Sequence, residues 1–497
     1  MTDESNTARP KFPISRIIVP VLIALAVFFW FKGYINGGTI KNLLAFIFIL
    51  GAAVVIHEFG HFIVAKLLGI RVETFSVGFG PRIWGRKWGT TDYRLSAIPL
   101  GGYVKLGGDE SNAPIEGEGA SDIPLEEQFT LRPRWQKFLV AVAGPVMNIL
   151  TALAIPFIGG LMYGVPVPPA PVVKDIRQGG AAEAAGMRVG DRVVSFNGIE
   201  NPKWDRIRGD VMLSPEKPLP ITVVRDGQRV DLTLTPAKRV EGGEVMGDMG
   251  FHPDYGELPI VVAGVTPDSP AAQSGLQKDD RLISIGGETI SSSQQVVDYI
   301  KEHPADPIQF VIERAGQRKE ITATGRLPGG KLGLSPSEEL PREHVGFLGT
   351  ARYAWDFNVE IMRLTGKALG QLFSGERSAR NTVSGPLGIY DAASNAVNEG
   401  GWDGLFSMLG FLSLSLGVFN LLPIPVLDGG AIFLLLVEAI LALGGWKLSM
   451  RVRERIQQVG FVMLLLLMGF VITNDLLKKV QRNPDENKPP AATEQQK

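Results

Sequence analysis

Five apolar stretches break up this chain, at Ile17–Tyr34, Leu43–Leu68, Phe138–Tyr163, Leu405–Leu422 and Val459–Ile472. They limit the fold more than any other feature. A bilayer core is crossed by about 20 residues of helix. In lipid a chain must satisfy its own backbone N–H and C=O groups, so segments of this length become helices. The whole chain is 45% hydrophobic yet 20% charged, too apolar for an ordinary soluble enzyme and too charged for one buried entirely in lipid. It reads as a multi-pass α-helical membrane protein of about five spans with soluble parts between them. In the first stretch the small residues Ala24–Ala26 lie inside the apolar core rather than after it. A signal-peptide cleavage site belongs after the core, so this stretch reads as a retained anchor.

Cytoplasmic loops carry an excess of Lys and Arg, which sets the orientation. Arg9, Lys11 and Arg16 precede the first stretch, and the loop between the second and third is rich in basic residues from Lys66 to Lys137. Both are predicted to be cytoplasmic. The region from Pro166 to about Gly400 then lies on the outer side, and Lys447, Arg451, Arg453 and Arg455 return to the cytoplasm. A net charge of −1 offers no attraction for nucleic acid, so the lipid bilayer is the partner the composition implies. Cysteine is absent, which excludes disulfides, thiolate metal sites and cysteine nucleophiles.

The outer region repeats itself. "AAGMRVGDRVVSFNG" (184–198) is echoed by "QSGLQKDDRLISIGG" (273–287), and "VVRDGQRV" (223–230) by "VIERAGQRK" (311–319). Each unit closes on a similar phrase, "GDMGFHP" (247–253) and "GKLGLSP" (330–336). Short alternating strands, one helix and Gly/Asp turns predict two small β-rich domains. The phrase "SPAAQSGLQKDDRLISIGGETI" resembles a PDZ domain, and the pair a tandem in the permuted bacterial arrangement. The resemblance implies peptide ligands bound by strand addition, or a pair that acts by blocking access. The predicted division is a tail and anchor over 1–42, an N-terminal core over 43–165, PDZ-like units over 166–256 and 257–340, an amphipathic linker over 341–400, a C-terminal core over 401–480 and a disordered tail over 481–497.

The second apolar stretch contains "HEFGH" (57–61). On a helix His57 and His61 project from one face, the spacing of two ligands to one tetrahedral zinc ion, with Glu58 beside it as general base for the attacking water. Ionisable groups inside a span are functional unless shown otherwise. The chain has five histidines, and the other three, His252, His303 and His344, lie in the outer region. A catalytic zinc takes three protein ligands, so the third is predicted to be a carboxylate from another apolar segment. Asp428, in "NLLPIPVLDGG" (420–430), and Glu438 are the candidates. Asp428 is favoured because prolines precede it and glycines follow, so the backbone can bend to aim it. Its alternative role is to cap the following helix.

"HEFGH" with "NLLPIPVLDGG" resembles the site-2 protease family of intramembrane zinc metalloproteases, and the tandem PDZ pair resembles its sigma-E-regulating bacterial branch. "VETFSVGFGPRIW" (72–84), "YRLSAIPLGGYVKL" (93–106), "AGPVMNI" (143–149) and "SGPLGIY" (384–390) agree. The resemblance spans roughly residues 43–480. It implies that His57, His61 and Asp428 ligate zinc, that Glu58 is catalytic, and that Asn420 lies near the active site. An amide there could orient the substrate backbone or stabilise an oxyanion. Asn148, a further intramembrane amide, is read either as an interhelical hydrogen-bonding group or as a catalytic one. The resemblance implies a membrane-reentrant β-loop over 93–106, whose edge could pair with an unwound substrate. It also implies a bacterial inner-membrane location, an active site near the cytoplasmic face, periplasmic PDZ domains and a previously trimmed anti-sigma factor as substrate. Three rivals stand beside this reading: a zincin that cuts soluble substrates at the membrane surface, a PDZ scaffold with a dead metal site, and a metal transporter. The first expects a third ligand in a soluble segment, the second the loss of Glu58, and the third more intramembrane ligands than one cluster.

Overall fold

The computed structural model describes residues 37–486 apart from 109–122, 168–170, 242–243, 255–257, 267, 291, 328–329, 377, 379–382 and 447–448. The expected first span, Ile17–Tyr34, lies outside the described residues. Among the described residues four helical stretches are long and apolar enough to cross a membrane: Ile40–Leu67, Arg134–Tyr163, Gly400–Asn420 and Arg455–Lys478.

Helix α1 (Gly37–Leu67) is apolar around its whole circumference, as a helix enclosed by lipid and protein must be. Gly69, at φ +68°, ends it, with Ile70 N–H donating to Ala65 O at 2.9 Å, because a left-handed residue closes a helix most easily when it is glycine. Strands β1 (Val72–Trp88) and β2 (Thr91–Leu106) follow. They fold back on themselves, so that residues 72–77 lie between the two halves of β2; Phe75 is opposite Val104 on one side and Tyr93 on the other. Alternation along the strands gives this small sheet two characters. Phe75 and Tyr93 pack against Phe62 of α1, while Ser76 and Ser96 share a hydrogen bond of 2.8 Å on the opposite face. Helix α2 (Arg134–Tyr163) then crosses α1 closely. A Cβ on Gly60 would lie 2.3 Å from Ala143 O, so only glycine permits this backbone approach.

A β-rich insertion follows, entered by β3 (Val165–Pro166). Its first unit holds β4 (Val173–Ile176), α3 (Ala181–Ala184), β5 (Arg192–Phe196), β6 (Ile199–Glu200), α4 (Trp204–Met212), β7 (Leu219–Arg225), β8 (Gln228–Leu234), β9 (Ala237–Glu241), β10 (Glu244–Asp248) and β11 (Phe251–Pro253). The second holds β12 (Ile260–Val265), α5 (Pro270–Gln273), β13 (Arg281–Ile285), β14 (Glu288–Thr289), α6 (Ser293–Glu302), β15 (Ile308–Arg314), β16 (Gln317–Ala323) and β17 (Leu334–Glu338). Strand β18 (Arg342–Glu343) pairs antiparallel with β3, clasping the way in to the way out. The strand orders are β6-β5-β7-β8, with β4 and β11 as a separate pair, and β16-β15-β13-β12-β17, with β14 on β13. The repeat recurs in side-chain detail. Buried Asp191 accepts from Arg225, which also donates to Gly186 O, and buried Asp280 accepts from Arg314, which donates to Gly275 O. Each unit has its own core, centred on Phe196, Ile207 and Val223 in the first and on Ile285, Val296 and Ile312 in the second.

Among the described residues four long helices follow: α7 (Gly346–Phe373), α8 (Pro386–Asn420), α9 (Asp428–Leu443) and α10 (Met450–Glu486). Helix α7 lies on α2, where Asn358 Nδ2 donates to Ala152 O at 3.1 Å. Its far half meets the first β unit. There buried Asp210 accepts from Arg363 and Lys367, both at 2.9 Å, and Gln371 donates to Leu213 O. Helix α8 kinks at Gly401 (φ 59°, ψ −129°), a conformation that suits glycine alone. Its N-terminus has its free N–H groups satisfied from another helix: Asp475 of α10 accepts from Gly385, Leu387 and Gly388 at 2.9–3.3 Å. The tail expected to be disordered from 481 is helical as far as Glu486. A helix already nucleated adds one hydrogen bond per residue, so polar residues extend α10 past its apolar part.

Candidate metal centre

The geometry of α1 carries the first two groups. His57 and His61 stand one turn apart, their Nε2 atoms 3.2 Å from each other. His57 is buried, as it must be at the α1–α2 contact. Asp428 arrives from the far end of the chain, and its Oδ2 lies 2.9 Å from His57 Nε2 and 3.4 Å from His61 Nε2.

The turn that delivers Asp428 is tight. It runs from Leu421 to Leu427 and holds Val426 at φ +83°, a strained setting for a β-branched residue. The sequence expectation shares the bend between the prolines before Asp428 and Gly429 and Gly430 after it. In the structure both glycines are inside α9, and their smallness serves close approach instead. A Cβ on Gly429 would lie 2.1 Å from Leu422 O, and one on Gly430 2.3 Å from Ile424 O. Asp428 is the first residue of α9, the cap position being held by Leu427, and its carboxylate is turned to the histidines. Glu438, the other candidate, pairs with Arg453 and lies 4.0 Å from Arg134.

These three side chains fit a metal ion. Their ligand atoms all lie within 4.8 Å of one another. Asp428 Oδ2 is buried and has no hydrogen-bond donor of its own. His61 Nδ1 is 2.7 Å from Val140 O; a carbonyl only accepts, so the proton is on Nδ1 and Nε2 offers a lone pair. Room is kept by Gly144 of α2, where a Cβ would fall 2.4 Å from His61 Nε2 and 2.8 Å from His57 Nε2. Two imidazoles and one carboxylate, with a position left open, form the donor set of a catalytic zinc.

Glu58 is adjacent to His57, and its carboxylate accepts a hydrogen bond from the Val104 backbone N–H at the end of β2. The sheet therefore abuts the acidic group directly. Asn148 is fully buried, with its Nδ2 3.3 Å from His57 Nδ1 and its Oδ1 without a partner. Asn420 is the last residue of α8, and among the described residues no hydrogen bond joins it to the cluster. Sequence reasoning did not anticipate Gly144, the Val140 carbonyl or the Val104 N–H. "AGPVMNI" contains the first, but backbone groups leave no trace in residue identity.

Residues 45–467 match the model of peptidase family M50. The chain belongs to this family. The regulator of sigma-E protease RseP of Escherichia coli (strain K12) is 33% identical over 87% of this chain and 98% of its own length. Its counterpart in Salmonella typhimurium (strain LT2) is 32% identical over the same shares. A Vibrio cholerae relative whose name includes the words zinc metalloprotease is 31% identical over 88% of this chain and 98% of its own length. With that donor set at its centre, the chain is a membrane-embedded zinc metalloprotease.

Proposed function

We propose that this protein is an intramembrane endopeptidase that hydrolyses a peptide bond within or next to a transmembrane segment of another protein. The observation that carries the reading is the convergence of Asp428 on His57 and His61, which stand on a helix of membrane-spanning length and composition. In this reading those three hold zinc, which supplies Lewis-acid activation of the scissile carbonyl and of water. Glu58 takes the proton from the attacking water and passes it to the leaving amine. Its hydrogen bond from Val104 N–H holds the carboxylate in one orientation. Asn420 binds the substrate backbone near the reacting carbonyl. A helical substrate has its carbonyls engaged, so it unwinds before attack, and the adjacent edge of β2 re-satisfies the freed groups.

The names of the relatives speak of sigma-E regulation, and in this reading the substrate is an anti-sigma factor already shortened on the outer side, in the inner membrane of a bacterium. The two β units are read as PDZ domains on the periplasmic side, either selecting peptides or excluding uncut substrates, with the active site near the cytoplasmic face. The deciding experiment is cleavage of a tagged single-span substrate in liposomes by wild type, Glu58→Gln and Asp428→Asn, with zinc assayed on the same samples. Loss of cleavage in both, with zinc kept in Glu58→Gln and reduced in Asp428→Asn, is expected. Unchanged cleavage by Glu58→Gln would remove the assignment. Deleting the β pair is expected to permit cleavage of an untrimmed substrate; continued dependence on trimming would sink the exclusion role.

A further inference from the structure

His57 can donate a lone pair through Nε2 only when its proton is on Nδ1, and that proton then needs an acceptor. For His61 the acceptor is the Val140 carbonyl, at 2.7 Å. For His57 the polar group facing Nδ1 is the side-chain amide of Asn148, at 3.3 Å. The structure turns Nδ2 to the ring and leaves Oδ1 buried without a partner. A ring that accepts from Nδ2 has its proton on Nε2, where it points into the space between Asp428 and His61 and competes with a metal ion.

We infer that Asn148 is the positioning residue of His57, its Oδ1 accepting from Nδ1–H so that Nε2 is presented to the metal. The two ends of an amide have nearly the same shape, so turning it over costs no space. It also breaks no other hydrogen bond, because Oδ1 has none to lose. The residue is well held for this task. It is fully buried on α2, and a Cβ on Gly417 of α8 would lie 3.2 Å from its own Cβ. Three helices therefore meet at this amide: α1 through the ring, α2 through its backbone and α8 through close packing. Partners behind a metal-bound histidine fix its tautomer and orientation, and their loss costs roughly 10–100-fold in metal affinity.

The inference rests on the zinc reading above, and the test separates the two. Zinc affinity is measured on the full-length protein in detergent by competition with a graded chelator, for wild type, Asn148→Leu and Asn148→Asp. Leucine keeps the volume without an acceptor, whereas aspartate is an acceptor only. Expected are an affinity roughly 10–100-fold weaker in Asn148→Leu and one near wild type in Asn148→Asp. A merely structural role in helix packing predicts the reverse, since leucine packs well and an added charge does not. Wild-type affinity in Asn148→Leu, or a loss in Asn148→Asp as large as in Asn148→Leu, overturns the inference. Should Asn148→Leu fail to fold, nitrogen-15 spectra of histidine-labelled, zinc-loaded wild type decide: Nδ1–H on His57 supports the inference, and Nε2–H overturns it. Zinc retained in His57→Ala and Asp428→Asn would instead remove the metal-site reading, whatever Asn148 does.

Discussion

The two β units of the insertion share a plan but are attached differently. Both pair one buried Asp with a partly exposed Arg at matched positions, Asp191 with Arg225 and Asp280 with Arg314. Both place a helix, α4 or α6, across the sheet. On α4 the buried Asp210 receives Arg206, Arg363 and Lys367, and Gly209 lies so close to α7 that a Cβ would meet Leu364 at 2.8 Å. At the matching position of α6 stands Tyr299, which stacks on His303 at 4.1 Å within its own unit. The second unit meets α8 through β12 and through Lys278, which donates to Gly400 O beside the kink. One module is bolted to a helix by charge; its copy rests on a hinge. Duplication preserved what holds each unit together, and divergence fell on what holds each in place.

The comparison can be broken at the bolt. Asp210→Ala removes the buried counter-charge that three cations share and leaves only Glu360 beside Arg206 and Arg363, and breaking a buried ionic group costs about 3 kcal/mol. Hydrogen exchange is expected to accelerate in α4 and the second half of α7, while the second unit stays as protected as before. Equal acceleration in both units would mean that they move as one body. Next in size, Asp191→Ala and Asp280→Ala each remove the acceptor of a partly exposed arginine, for about 2 kcal/mol. The losses are expected to be alike and confined to the unit mutated; a large inequality would show that the shared pair is not equivalent.

Acid sharpens the same contrast. Burial alone would push the Asp210 carboxyl up, but hydrogen bonds from Lys367 and Arg363 outweigh it and hold the group below the ordinary carboxylate range. A depressed carboxylate stabilises the fold above its unfolded pKa of about 4, and that contribution is lost as pH falls through the lower folded value. The bolt is therefore expected to hold at about pH 5 and to fail below about pH 4, read as rising exchange in α7. Failure already near pH 6 would point to a histidine instead. Smallest of all is Lys278→Ala, which removes one exposed hydrogen bond worth about 0.5 kcal/mol. No change in melting temperature is expected, and a shift of several degrees would mean that Lys278 carries more of the attachment than one exposed hydrogen bond.

Much of the centre was legible because ligand identity and spacing are written in residue types. His57, Glu58 and His61 sit at helical spacing, and Asp428 stood out as a carboxylate beside an apolar segment with prolines before it. The repeat was legible for the same reason. What escaped was the work of backbone and of absent atoms. Val140 O and Val104 N–H belong to every residue alike, and Gly144 acts by lacking a Cβ. The prolines before Asp428 and the glycines after it were both read as allowing a bend, but in the structure the glycines admit neighbouring backbone while Val426 takes the strained angle. Arg363 and Lys367 look like ordinary surface charge on an amphipathic helix until Asp210, distant in sequence, is seen beneath them. The end of α10 was missed because polar composition marks where a core stops, not where a helix does.

The cap that Asp475 places on α8 also orders events during synthesis. The carboxylate is translated long after the N–H groups of Gly385, Leu387 and Gly388 that it serves. Gly460, which packs so tightly on the turn before Asp428 that a Cβ would lie 2.2 Å from Pro425, is likewise a late arrival. A nascent chain arrested before α10 holds all three candidate ligands, yet neither the clamp on the loop that aims Asp428 nor the lock on the helix leading to it. Synthesis of α10 is thus built into the assembly of the candidate metal centre.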